Sequence, residues 1–526
     1  MDANDIVGKL WRLCTILRKD GITYQQYVTE LTYLLFLKMM KELGKEEDAK
    51  SDRKLVNIPK GMRWEDLVNA NGIAQLQLYR EMLTELGNPR SRVSKDGRLL
   101  SPPNVEDSPS DGERAKKEYD KAQALPRTVQ AIFSNSSTFL RQPANLSELV
   151  NEIDKLHWFS TERDQFGDLY EGLLQKNAEE TKRGAGQYFT PRVLIDAIVE
   201  LMKPMPGEVI QDPAAGTGGF LIAADRYMKT HTDGYFELGS KEQAFQATQA
   251  FHGMENVAGT YRLLLMNLYL HGIDPIHVDL GDTLSPKGED MEAANLILTN
   301  PPFGPSGGKP TREDLSITKT VSSYQLPFVE HCIRNLQPGG RAAMILPDNV
   351  LFEDGRGKQL RQKMMRECNV HTILRLPTGI FYAQGVKTNA VFLQRSKKAD
   401  LARLKDDETQ AIWIYDLRSQ MPQFGRTSSF NAAHLKEFVQ AYGDDPNGES
   451  QRKDEGPQGR LRKFTRKEIA ARDDNLDIKW LSDEEELDED ALTEPVNITA
   501  AIMSHLEAAV AEIQALQDEL TTGEAG

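Results

Sequence analysis

The stretch ANLILTNPPFGPSGG ends a short apolar run in Asn300, Pro301, Pro302 and Phe303. These are poor core residues and useful chemical ones. An exocyclic amine on an aromatic base is a weak nucleophile, because its lone pair is delocalised into the ring. Two acceptors, the Asn300 side-chain oxygen and the Pro301 carbonyl, suit both N–H groups of such an amine and favour a pyramidal nitrogen. The prolines stiffen the turn, so the acceptors are held before the substrate arrives. Phe303 offers a stacking face for a base drawn out of a duplex that would otherwise hide its amine. Alone, NPP often marks only a strand-terminating turn, so its reading depends on its company.

That company begins at VIQDPAAGTGGFLIAA, in which an acid, Asp212, closes a strand and a loop with Gly216, Gly218 and Gly219 opens a helix. Glycines let backbone approach a bound nucleoside closely, and ligands of open α/β sheets sit beyond the carboxyl ends of the strands. The spacing is neither the dinucleotide fingerprint nor the Walker loop, which disfavours NAD and ATP. Two more acids follow at plausible strand ends, Glu255 in FHGMENVAGT and Asp282 in VDLGDTL. The first suits the hydroxyls of a ribose and the second the amino group of an adenine ring. Singly, each is an ordinary surface acid; with the glycine loop, they fit one adenosine lying across the sheet edge. The residues themselves therefore imply an amine acceptor served by an adenosine-bearing methyl donor.

The elements that must position these groups follow from hydrophobic periodicity. From Ile195 onward helices alternate with short strands, among them EVIQD, IHVDL, NLILTN, RAAMILP, HTILRLP and TNAVFLQR. Alternation of this kind implies a mostly parallel sheet with helices on both faces, one late strand being antiparallel. Residues 1–155 are expected to form a helical domain, with YQQYVTELTYLLFLKMMKEL carrying a broad apolar face. Its Pro-, Ser- and Gly-rich stretch at about 87–118 reads as a mobile insertion, disordered or ordered by a partner. Residues 156–480 are expected to hold the transferase chemistry, and 481–526 an acidic linker and a helix. In that helix Ile498, Ile502, Leu506, Ala509, Ile513, Leu516 and Leu520 recur at steps of four and three, a coiled-coil seam.

Composition narrows the class. The chain has 526 residues, which at about 100–200 residues per domain suggests three or four units. A formal net charge of −15 argues against a protein that coats nucleic acid by itself. No apolar run is long enough to span a bilayer, so a soluble, cytoplasmic protein without a membrane partner is expected. Cys14, Cys332 and Cys368 lie far apart without ligand or disulfide spacing, so free thiols and no metal site are expected. The polar loop SGGKPTREDLSITKTVSS after the tetrad reads either as a cover for DNA or as an unstructured surface loop, and RGKQLRQKMMRE as a solvated basic helix face.

In the order GQYFTP, DPAAGTGGF, TNPPF, the chain resembles the modification (M) subunits of type I restriction-modification systems, which are S-adenosylmethionine-dependent DNA adenine-N6 methyltransferases. The resemblance covers most of the chain, and GAGQYFTPR is its most telling segment. It implies a class I methyltransferase fold, a doubly wound, mostly parallel seven-stranded sheet. It also implies roles: Gln187, Tyr188, Phe189, Thr190, Pro191 and Arg192 close over the methionine part of S-adenosylmethionine. Asp212, Ala214, Ala215, Gly216, Thr217, Gly218 and Gly219 form the loop beneath it, Glu255 holds ribose, and Asp282 meets adenine. Asn300, Pro301, Pro302 and Phe303 are the catalytic tetrad. Many relatives carry Cys where this chain has Ala215, a small-for-small change. The resemblance further implies double-stranded DNA, a separate specificity (S) subunit that reads the sequence, a second M subunit, and in some assemblies a restriction (R) subunit as partners, the C-terminal helix serving as docking element. Methylation of a protein glutamine remains as an alternative, though that family usually has Tyr at the Phe303 position and is much shorter. A non-catalytic DNA clamp is the other.

Overall fold

The computed structural model describes residues 3–48, 55–102, 109–156, 170–174, 190–381, 386–422, 424 and 429–481. The acidic linker and seam helix of 482–526, and Gln187, Tyr188 and Phe189, lie outside these residues. The described residues divide into two compact units, one within 1–185 and 258–276, the other within 186–257 and 277–481. Among the described residues no helix is long and apolar enough to cross a membrane.

The first unit is mainly helical, as its periodicity requires. Helix α1 (Tyr24–Glu42) is followed by α2 (Gly72–Leu86) and α3 (Pro143–Asp154). Leu31, Leu34, Leu35 and Phe36 of α1 are fully buried. The same helix buries Glu30, which accepts hydrogen bonds from the Tyr79 and Thr138 hydroxyls and the Phe139 amide. A buried carboxyl is tolerable only when its oxygens are occupied in this way. Helix Ala258–Leu270 clusters with this unit although it lies far along the chain. Its Arg262 donates to the carbonyls of Ile132 and Ser134 at 2.8 and 2.9 Å and lies over the Tyr33 ring.

The segment read as a mobile insertion has regular structure over its described residues. Arg92–Val93 pairs with both Leu99–Leu100 and Gln123–Ala124, and Pro109–Lys121 is a helix. The hairpin is fastened by the Lys60 amide donating to the Gly97 carbonyl at 2.8 Å. Backbone pairing supplies the order that its side chains, poor in apolar surface, do not.

The second unit is built on one nine-stranded sheet. Its strands are β1 (Ile210–Asp212), β2 (Phe251–Glu255), β3 (His277–Leu280), β4 (Ala294–Thr299), β5 (Leu336–Pro347), β6 (Cys368–Arg375), β7 (Thr388–Arg395), β8 (Ala411–Asp416) and β9 (Leu461–Thr465). The order across the sheet is β9-β8-β6-β7-β5-β4-β1-β2-β3. Strands β3, β2, β1, β4 and β5 are mutually parallel, while β7 runs antiparallel between β5 and β6. This is the doubly wound sheet expected, lengthened by β8 and β9. The chain moves outward from β1 to β3 and then returns to β4 on the other side of β1. The carboxyl ends of β1 and β4 thus flank the switch point at which such sheets bind ligands.

Helices α4 (Arg192–Met202), α5 (Gly219–His231), α6 (Gln325–Asn335) and α7 (Arg356–Glu367) accompany the sheet. One core joins Ile297, Met344, Leu346 and Val391 of the strands to Val329, Ile333, Leu360 and Met364 of α6 and α7. All three cysteines are free and buried. Helix α7 is only partly the solvated basic face expected, because its Arg361 is 1% exposed and donates to the carbonyls of Asp474, Val350 and Glu353.

Candidate active site

The glycine loop leaves β1 through Asp212, which is 2% exposed. Asp212 Oδ1 accepts from the Ala214 amide at 3.1 Å, closing the first turn. Gly216 and Gly218 adopt φ of +55° and +88°, a region that side chains strongly disfavour. A Cβ on Gly219 would come within 2.9 Å of the Ile195 side chain, so this glycine lets α5 approach α4. A Cβ on Gly216 would meet no atom of the described residues within 4 Å.

Glu255, at the end of β2, braces this loop. Its Oε2 accepts from the Gly216 amide at 3.0 Å and its Oε1 from the Val257 amide at 2.8 Å. An ionised carboxylate has about four acceptor positions, so capacity for a ligand's hydroxyls remains. Burial raises the Glu255 pKa, opposed by the Val257, Gly216 and Asn256 amides. Burial likewise pushes the Asp212 carboxyl up to about 7, with the Glu255 charge adding to the rise. Asp282 follows β3 and is exposed; its Oδ1 accepts from the Leu284 amide at 2.9 Å. The Gly281 amide donates to the Glu255 carbonyl at 2.9 Å, tying the two acids' strand ends together.

Across the switch point β4 delivers the tetrad. Pro301 is buried, whereas Pro302 and Phe303 are half-buried. Asn300 Nδ2 donates to the Thr190 hydroxyl at 2.9 Å, and Asn300 Oδ1 is buried without a hydrogen-bond partner among the described residues. Thr190 and Pro191 immediately precede α4, which starts at Arg192. One end of the GQYFTPR segment therefore meets Asn300 directly, although the role that the resemblance implies for it concerned the cofactor alone. The tetrad's exit is fixed by residues that the sequence did not single out. The Gly304 amide, at φ +89°, donates to Gln325 Oε1 at 3.1 Å, and the Gly304 carbonyl accepts from the Tyr324 amide at 3.0 Å.

The loop after the tetrad is not an unstructured surface segment. Leu315 and Thr318 are fully buried, and Glu330 of α6 accepts from the Thr318 amide and hydroxyl, both at 2.8 Å. Leu315 also packs with Leu284, Phe328, Ala214 and Tyr324, joining the surroundings of the glycine loop to those of the tetrad.

Comparison with known proteins agrees with this geometry. The N-6 DNA Methylase family model matches residues 161–490, and the HsdM N-terminal domain model matches residues 6–153. The chain belongs to the type I restriction-modification methylase subunits. The StySJI methylase subunit of Salmonella typhimurium is 44% identical over 100% of this chain and 97% of the relative. The EcoKI methylase subunit of Escherichia coli K12 is 44% identical over 99% and 96%. The crystal structure of the EcoKI M protein aligns with a TM-score of 0.52 at 40% identity, covering 98% of this chain and 96% of that one. A chain from a structure of type I system assembly and conformational transition shares the fold, with a TM-score of 0.68 at 24% identity over 99% of each. This methylase is accordingly an adenine-N6 DNA methyltransferase with a class I fold, which sets aside both the glutamine-methylating and the non-catalytic alternatives.

Proposed function

We propose that this methylase transfers a methyl group from S-adenosylmethionine to N6 of an adenine turned out of duplex DNA, at a site chosen by a separate specificity subunit. The observation that carries the catalytic assignment is Asn300: its Nδ2 is occupied by Thr190, while its buried Oδ1 has no partner among the described residues. A buried acceptor without a donor costs roughly 1–3 kcal/mol, a cost that an incoming amine would relieve.

The residues around the glycine loop fit the donor. The lack of any described atom near a Cβ on Gly216, the positive φ of Gly216 and Gly218, and the bonds of Asp212 and Glu255 to the loop amides support a nucleoside held against β1 and β2. Ala214 and Thr217 belong to the same loop, Asp282 would meet the adenine ring, and Thr190, Pro191 and Arg192 with Gln187, Tyr188 and Phe189 would close over the remainder. When bound, S-adenosylmethionine supplies an electrophilic methyl group on a sulfonium. The chain's own contribution is placement. Asn300 Oδ1 and the Pro301 carbonyl accept the two N–H groups, Pro302 stiffens the turn, and Phe303 stacks on the base. Alignment of this kind is itself a large part of catalysis.

The proposed partners are double-stranded DNA, the specificity subunit, a second copy of this chain and, in some assemblies, a restriction subunit, all in the cytoplasm. We place the transfer chemistry in residues 156–480 and the docking helix in 481–526. Asn300→Ala should lower methyl transfer by roughly 10²-fold or more while leaving donor binding intact. The measurement is radiolabelled transfer to plasmid DNA with and without the specificity subunit. Near-normal transfer by the variant would sink the catalytic assignment, and strong site-specific transfer by the isolated chain would sink the division of labour.

A further inference from the structure

The loop between the tetrad and α6 contains an arginine that the chemistry above does not use. Arg312 is 3% exposed in a stretch otherwise rich in polar surface residues. Its Nε and Nη2 donate to the two oxygens of Asp314 at 2.8 and 2.6 Å. Its Nη1 donates to the Thr283 carbonyl at 3.0 Å and to His331 Nδ1 at 2.7 Å. A guanidinium has no acceptor, so His331 Nδ1 is the unprotonated nitrogen and Nε2 carries the hydrogen. That Nε2 faces Gln211 Oε1 at 3.3 Å. Burial, reinforced by the Arg312 charge, holds His331 down to about 3, so this proton pattern persists at neutral pH.

The second branch runs through Thr283, whose hydroxyl donates to the Pro213 carbonyl at 2.5 Å. Gln211 and Pro213 are the two neighbours of Asp212 in the chain. Bonds from one buried guanidinium therefore reach both sides of the residue that begins the glycine loop.

We propose that Arg312 is a positioning residue for the methyl donor, fixing the start of the glycine loop through Thr283 and His331 without touching the donor itself. Lysine cannot replace it, because a single ammonium cannot fork to Asp314 while also reaching Thr283 and His331. The inference rests on the reading that the glycine loop holds S-adenosylmethionine.

The test is calorimetric binding of S-adenosylmethionine to the full-length chain as wild type, Arg312→Lys, Thr283→Val and Thr283→Ser, with thermal unfolding alongside. Arg312→Lys and Thr283→Val should each weaken binding about tenfold, equivalent to about 1.4 kcal/mol, with unchanged stoichiometry. Thr283→Ser, which keeps the hydroxyl, should bind like wild type. A merely structural Arg312 would lower the Tm and the binding-competent fraction but leave Kd unaltered, and that outcome overturns the proposal. So does a Thr283→Val protein with wild-type Kd. A wild type that binds no donor would instead show that the functional reading had failed, a result distinct from variants matching a competent wild type.

Discussion

Asp212 combines a place at the start of the glycine loop with a carboxyl that burial pushes up to about 7. Below about pH 4 folded and unfolded chains both hold this proton; between about 4 and 7 only the folded chain does. Stability of the ligand-free protein therefore falls as pH rises through that window, by up to roughly 4 kcal/mol from this group. Asp212→Asn can still accept from the Ala214 amide but has nothing to ionise. It should gain on wild type as pH rises from about 5 to about 8, read as the Tm difference at each pH. A pH-independent difference would mean that Asp212 ionises normally. At this scale the sequence offers candidates wherever the residues proposed to act together are contiguous, as in Asn300–Phe303 and the glycine loop. It was silent on Arg312 and Thr283, whose contact joins positions 29 apart. A lone arginine in a polar loop carries no mark of burial. The Thr190–Asn300 bond spans 110 positions and was equally invisible.

Helix α4 carries Thr190 and Pro191 at its entrance, so whatever pins its far end also helps to hold Asn300. Arg341 on β5 does this, donating to the carbonyls of Met202 and Lys203, each at 2.8 Å, and pairing with Glu208 at 2.6 Å. A cation at a helix carboxyl end satisfies open carbonyls and complements the helix dipole. Arg341→Met should destabilise the second unit by roughly 3–5 kcal/mol, since it leaves Glu208 largely buried without its partner. Chemical denaturation measures this, and a loss under about 1 kcal/mol would contradict it. Strands β1, β3, β4, β5, β6 and β7 were legible because each is a short apolar run bounded by turn residues. Strands β8 and β9 were not. The first, AIWIYD, follows a charged, polar stretch, and the second, LRKFT, is an edge strand whose buried positions, Leu461 and Phe464, break strict alternation. The unstructured alternative for the loop after the tetrad fails for a related reason: its anchors, Arg312 and Thr318, are polar residues buried by partners from elsewhere in the chain.

At the scale of the molecule, the expected succession of a helical domain and a sheet domain is interrupted. Residues 258–276 belong to the first unit, yet they lie between β2, which ends in Glu255, and β3, which leads to Asp282. Sequence patterning could not reveal this, because an apolar helix between two strands looks the same whichever unit it joins. The connection makes the two units inseparable by a single cut. A fragment beginning at residue 186 would keep helix Ala258–Leu270, whose Leu264, Leu265, Met266 and Leu268 are buried, but lose residues 1–185 of the unit to which that helix belongs. Such a fragment should aggregate or expose apolar surface to a hydrophobic dye, and co-expression with residues 1–185 should rescue it. A monodisperse, dye-negative fragment would show that the helix does not need residues 1–185 to cover its apolar side chains. Glu255 and Asp282 are thus joined by a detour through the other unit, so a deletion there would disturb both of the strands that carry them. In evolutionary terms, such a chain resists exchange of its helical part by simple end-to-end fusion: a replacement must arrive in two pieces that recognise each other.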